Sequence, residues 1–224
     1  MNISSYFRVG LVFLLTFLWP VSANEEKKSQ VQIGTYSKYD LETLTKFQRI
    51  LDNEINFLGK QILALHLLKR MIVEALKSEL NRDECPRRER IGQILSLTRR
   101  GLDHLNTVIL NVGSLMNVRR EMKEFIRDQV NNANSWKDDI IKEYPLHIYL
   151  NEYLDAVSNT LQRVKSEIKN NYGKFIIYVS LALKVEHRSG KCDMTACPLH
   201  RAFLGAANKT IDIQRIIRGQ VDET

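Results

Sequence analysis

Proline and glycine, the residues that interrupt helices most strongly, are scarce here: four and ten among 224 residues. The glycines are too few and too scattered for a phosphate-cradling loop, and no G-x-S-x-G or H-E-x-x-H pattern occurs. These absences leave no catalytic residue and no cofactor to name, so the expected class is a non-enzyme. His66, His104 and His147 are isolated along the chain. Asp103 and His104 are neighbours, but on a helix they project about 100° apart and make no dyad. His104 is therefore expected on a helix surface.

A second long apolar run is also missing. The first, Val9 to Trp19, follows Arg8 and is broken by Pro20; Val21-Ser22-Ala23 then places small residues before a cut. That order of charge, apolar core and small residues is the grammar of a secretory signal peptide over residues 1–23. The run is shorter than the ~20 residues a bilayer span requires, and the next longest, FIIYVSLAL at 175–183, is shorter still. The expectation is a secreted, extracellular protein starting at Asn24. It has a flexible polar arm at 24–39, one helical domain at 40–219, and a tail at 220–224.

Acidic charge is in deficit. Lysine and arginine total 33 against 26 aspartate and glutamate. Arg8 is the only charge within 1–23, so the mature chain carries about +6. Such an excess suits acidic partners such as sulfated glycans, anionic lipid or nucleic acid; the expected export sets nucleic acid aside.

What the chain does contain is helical periodicity. Leu44, Phe47, Leu51, Leu58, Leu65, Leu68 and Ile72 recur at spacings of three, four or seven, an apolar stripe on a helix over about 41–80 with Asp40 as N-cap. NRDECP ends it, and Pro86 suits the start of a second helix over about 87–131. Its apolar seam is read as Leu95, Thr98, Leu102, Leu105, Ile109, Val112, Met116, Arg119, Lys123, Ile126 and Val130, weakened at Gly101 and Gly113. The asparagines at 131–134 and Pro145 mark the next break. A third helix over about 146–188 carries Leu150, Leu154, Val157, Leu161, Val164, Ile168, Phe175, Val179 and Leu183, with FIIYVSLAL read as helix for want of a partner strand. A fourth covers about 198–218. The predicted fold is all-α: an elongated antiparallel four-helix bundle with coiled-coil-like seams. An extended coiled coil that oligomerises is the alternative.

Cysteine is sparse: Cys85, Cys192 and Cys197. In an oxidising compartment these are disulfide candidates. Cys85 and the Cys192–Cys197 pair fall in loops at the same end of such a bundle, so Cys85 competes with a local Cys192–Cys197 bridge. The cysteine left over opens a route to a covalent homodimer. A zinc reading of His187, Cys192, Cys197 and His200 fails on spacing, H-x4-C-x4-C-x2-H, which matches no common module.

Basic residues concentrate on the second helix. PRRERI at 86–91 has the x-B-B-x-B-x arrangement (B for basic) associated with heparin. Arg87, Arg88, Arg90, Arg99, Arg100, Arg119, Arg120 and Lys123 are the anion- or glycan-binding candidates, because guanidinium groups grip sulfates and carboxylates bidentately. Arg119 and Lys123 fall on the seam itself, where bare charge is costly. Counting along the helices from a shared end places Glu54 opposite Arg119, and Glu152 or Asp155 near Lys123. Asn208-Lys209-Thr210 is an N-glycosylation sequon. The reading these features favour is a secreted, basic, non-catalytic binding protein acting on an extracellular receptor, sulfated glycan or other protein. A lipid or apolar-ligand carrier of the apolipoprotein-like type, meeting a lipid surface through its helices, is the other.

Overall fold

The computed structural model describes residues 41–80, 88–135, 146–187 and 197–219. All are helical apart from the residues flanking the last helix. The helices are α1 (Leu41–Leu80), α2 (Arg88–Ser135), α3 (Leu146–His187) and α4 (Pro198–Arg218). All four starts and three of the four ends fall within a residue of expectation. The exception is α2, which continues through Asn131–Asn134 to Ser135. Asparagine lowers helix propensity by well under 1 kcal/mol per residue, too little to stop a helix already propagating. The 175–183 stretch is helix, and no strand occurs among the described residues. The expected signal peptide, arm, tail and N-cap Asp40 lie outside the described residues.

α1 and α2 pack together, as do α2 and α3, α3 and α4, and α1 and α4. On α1 the buried residues are Leu44, Leu51, Leu58, Gln61, Leu65, Leu68, Ile72 and Ala75. Phe47 and Glu54, both half-buried, fill the gaps in this three-four rhythm. α2 buries Ile94, Thr98, Gly101, Leu105, Val108, Ile109, Val112, Leu115, Met122 and Ile126. That corrects the seam read from sequence: Leu95, Leu102, Met116 and Lys123 flank the stripe rather than form it. Arg119 is the charged residue on the corrected stripe. Gly101 also changes meaning. A Cβ there would stand 3.3 Å from Tyr178 Cβ, so its bareness lets α2 and α3 approach closely; Gly113 meets nothing within 4 Å.

The contacts between α2 and α3 join Arg90 to Glu186, His104 to Asn171 and Phe125 to Tyr153. Between α3 and α4, Tyr172 is buried and its hydroxyl donates to the Ala206 carbonyl at 2.5 Å. Gly205 brings α4 close to α1, where its missing Cβ would touch Leu68 and Met71.

α4 has 21 residues against 40, 48 and 42 for the others, so it accompanies them for only about 30 Å. It starts at Pro198, pre-set for a first helical position, after Cys197 in extended backbone. It ends at Gly219, whose left-handed φ of 69° lets its N–H reach the Arg215 and Ile216 carbonyls. The main core of Leu65, Leu105, Ile168, Phe175 and Ile213 draws on all four helices. Past Gly219, the cluster of Leu44, Leu51, Met122 and Ile126, flanked by Tyr153 and Leu154, draws on α1, α2 and α3 alone among the described residues. The bundle therefore has a step where α4 stops.

Candidate functional site

The step is where the polar side chains gather. Seam positions that would otherwise face a fourth helix carry Glu54 on α1 and Arg119 on α2. Lys165 on α3 and Arg215 in the last turn of α4 complete the group. Together with Phe57, Ile216 and Gly219 they line a cleft of about 260 Å³, counted with the solvent-open space at its mouth. Arg119 Nε lies 2.6 Å from Glu54 Oε2, with the two side chains 14% and 13% exposed. The N–H does not line up with that oxygen, so this is an ion pair without a well-directed hydrogen bond. The expectation that Glu54 meets Arg119 in a partly buried layer is borne out.

Lys165 forms no ion pair or hydrogen bond with a described residue. Its ammonium sits 3.3 Å from where a Cβ on Gly219 would be. Glycine at 219 is favoured by its positive φ, and a Cβ there would crowd the tip of Lys165. Arg215 lies over the Phe57 ring, 5.6 Å from its centroid, a cation–π contact on the apolar wall. Burial pushes the Glu54 carboxyl above its usual range, although Arg119 and Lys165 pull the other way. Burial, then Arg119, hold Lys165 below the ordinary lysine range, against the pull of Glu54. Both shifts say that charge is held here at some cost.

The remaining candidates separate into engaged and exposed. Lys123 bonds Asp52 on α1 at 2.5 Å, not the expected Glu152 or Asp155. The corrected seam explains this: Met122 takes the buried position, and Lys123 turns to the flank of α1. Asp155 is exposed, and the side chain of Glu152 lies outside the described residues. Arg90, expected in a solvent-facing heparin motif, turns inward and lies 3.9 Å from Glu186, which is 1% exposed. Arg127 pairs with Glu124 and Asp128. Arg120 is exposed and, among the described residues, reaches Asn117 at 3.4 Å. Arg99 and Arg100 are exposed and have no carboxylate partner among the described residues. Arg87 and the side chain of Arg88 lie outside the described residues.

His104 is half-buried rather than a surface residue. Its Nδ1 is 2.9 Å from Asn171 Oδ1, and its ring stacks on Tyr178. The Asn171 amide donates to the Glu167 carbonyl and carboxylate. This orients Oδ1 toward the imidazole, which donates through Nδ1–H. Cys197 is buried and its thiol is free; Cys85 and Cys192 lie outside the described residues. His200 is half-buried in the first turn of α4. No group of three metal-ligating side chains occurs among the described residues. Asn208 is exposed at mid-helix, while the Thr210 of its sequon is buried. Leu63, Leu67 and Met71 on α1 and Leu204 and Ile211 on α4 are large exposed apolar residues. No described helix is long and apolar enough to cross a membrane.

No protein-family model matches the chain, and no curated protein or solved structure matches it. Sequence reasoning missed Lys165, Arg215 and Glu186. All three sit at ordinary helical positions, and only the tertiary step or the corrected seam gives them a role.

Proposed function

We propose that this is a secreted, basic, non-catalytic binding protein whose anionic extracellular partner docks on the exposed arginines of α2. One observation carries the reading. Arg90, Arg119, Lys123 and Arg127 lie against carboxylates, whereas Arg99 and Arg100 stand exposed without one among the described residues. Engaged guanidinium groups have little left to offer a sulfate or carboxylate; exposed ones offer a bidentate fork. The reading takes the four helices as an antiparallel bundle with coiled-coil-like seams, supported by pairings such as Arg90–Glu186 with Phe125–Tyr153. It takes residues 1–23 as a signal peptide and, with the Cys197 thiol free, Cys85 as the partner of Cys192. A sulfated glycan is the favoured partner class, with an acidic protein surface next.

Salt-gradient elution from heparin resin tests it. The mature chain should be retained beyond an inert protein of equal net charge. Arg99→Ala/Arg100→Ala should elute at clearly lower salt, because exposed charges are screened over about 8 to 10 Å at physiological ionic strength. Equal elution of variant and wild type removes these residues from the reading. N-terminal sequencing of secreted material should begin at Asn24.

A second reading has its own observation. Leu63, Leu67 and Met71 recur every four residues on α1, and Leu204 and Ile211 every seven on the adjoining α4. Contiguous exposed apolar faces mark interaction surfaces. They favour the lipid-surface alternative over a fully solvated bundle. Flotation with anionic vesicles, lost on Leu67→Glu and Ile211→Glu, would establish it.

A further inference from the structure

The outward face of α4 is not polar throughout. The exposed residues of this helix are Arg201, Leu204, Asn208, Ile211 and Arg218, spaced by three, four or seven so that they stack along one side. Leu204 is 47% exposed and Ile211 65%. Asn208 stands between them, four residues after the first and three before the second, the separations at which helical side chains meet. It is also the acceptor of the sequon Asn208-Lys209-Thr210, and residues 24–224 contain no other Asn-x-Ser/Thr pattern. The single acceptor asparagine of the mature chain therefore lies on the most outward line of α4, with an uncovered aliphatic side chain on either side. Arg201 and Arg218 close this line at its two ends. A second copy laid along it, in either direction, would set arginine against arginine.

We propose that Asn208 carries an N-linked glycan whose first sugars lie over Leu204 and Ile211 and cover the apolar part of this face. The inference rests on the reading of residues 1–23 as a signal peptide, because only an exported chain meets the sugar donor. In the transfer, the Asn208 amide nitrogen bonds to C1 of the N-acetylglucosamine that ends a polyprenyl-pyrophosphate-linked oligosaccharide. The bond from C1 to the pyrophosphate oxygen breaks, the pyrophosphate leaves with the electron pair, and one amide proton is released. Thr210 fixes the order of events. Its hydroxyl completes the acceptor pattern, yet in the fold Thr210 is 3% exposed and that hydroxyl lies 3.5 Å from the Ala206 carbonyl. A transferase has no access to it there, so the sugar is attached before α4 docks. Asn208 is exposed in the finished bundle, which then keeps the bulky, solubilising group on its surface. The C–H faces and acetyl methyl groups of the sugars displace water from the two aliphatic side chains, the ordinary source of apolar stabilisation. A lipid surface is left with Leu63, Leu67 and Met71 of α1.

Two secretions from cultured glycosylating cells test the site and the export reading separately: the full chain, and residues 24–224 behind an established signal peptide. Intact mass of each secreted product should exceed that of the polypeptide by one glycan. A glycan-releasing amidase should remove the excess and leave aspartate at 208. Asn208→Gln should carry none, and Thr210→Val, which keeps the buried shape, should also carry none. Retention on phenyl resin then reads the covering. The folded Asn208→Gln chain should elute clearly later than the glycosylated one, and Leu204→Ser/Ile211→Ser should abolish most of that difference. Thermal unfolding of each variant shows that the fold is retained. Bare polypeptide mass in the chain behind the established signal peptide overturns the site and leaves the stripe to a lipid surface or a second copy. Retention of the full chain in the cells, beside a glycosylated product from the other, overturns the modification through the export reading alone. A glycan whose loss shifts elution equally with and without Leu204 and Ile211 overturns the covering.

Discussion

The two polar interruptions of this bundle begin alike and end differently. At one end Glu186, almost fully buried, lies beside Arg90, one turn beyond the apolar cluster of Ile94, Ala182, Cys197 and Leu199. At the other, Glu54 meets Arg119 where α4 stops. The first is a carboxylate and an arginine beside an apolar cluster. The second adds Lys165 and Arg215 and opens to solvent. An isolated buried charge is intolerable in either place, so each carboxylate has its cation. The same local chemistry thus sits beside a packed apolar cluster at one end and on the wall of a cleft at the other, where α4 stops.

The largest effect that would sharpen the contrast is at the closed end. Arg90→Ala leaves Glu186 with its charge buried, and should cost about 3 to 5 kcal/mol in urea unfolding. A cost near zero would mean that Glu186 is satisfied in some other way. Arg119→Ala should cost less, about 1 to 2 kcal/mol, because Lys165 remains near Glu54. A double-mutant cycle on Glu54 and Arg119 should still return coupling of about 0.5 to 3 kcal/mol; none at all would dissolve the layer.

Acidity bears on the step as well. Burial holds the Glu54 proton more tightly in the folded chain than in the unfolded one. For a group raised in this way, the stabilisation is complete below its ordinary value of 4.5 and is lost as pH rises through the folded value. Glu54→Gln, which never ionises, should therefore gain on wild type as pH rises from about 4 to about 7. A flat difference between the two stability profiles would contradict the shift. The smallest effect belongs to Lys123. Its pair with Asp52 is 33% and 46% exposed, so Lys123→Ala should change stability by no more than about 0.5 kcal/mol.

Much of the fold is legible in the sequence, because three of the four prolines mark the breaks and the α1 stripe is unambiguous. Glu54 falls on that stripe between Leu51 and Leu58, which is why its meeting with Arg119 can be read from register alone. The α2 seam is harder. Ile94 and Leu95, Gly101 and Leu102, Val108 and Ile109, Leu115 and Met116 are adjacent pairs in which either member suits an apolar stripe. α2 packs against both α1 and α3, so both members are partly covered and periodicity alone does not fix the phase. Met122–Lys123 is the pair that decides it, since only one member tolerates burial cheaply. Lys165 and Arg215 carry no such signal. Their meaning comes from the point at which a 21-residue helix ends beside three of about twice its length, and that is a property of the assembled bundle.

The claim on which the comparison turns is that Lys165 is held at the step against the interest of stability. Its depressed ammonium makes the sign definite. For a lysine lowered by folding, stability is greatest above its ordinary value of 10.5 and falls as pH drops through the folded value, so at neutral pH the charge weakens the fold. The most direct measurement is the thermal unfolding midpoint of Lys165→Met beside wild type at neutral pH, without added sulfate or phosphate. A rise of about 2 to 4 °C is predicted, the size expected when one buried and incompletely balanced charge is relieved. A fall of similar size would show that the ammonium ties α3 to the end of α4, and the contrast between the two ends would be gone.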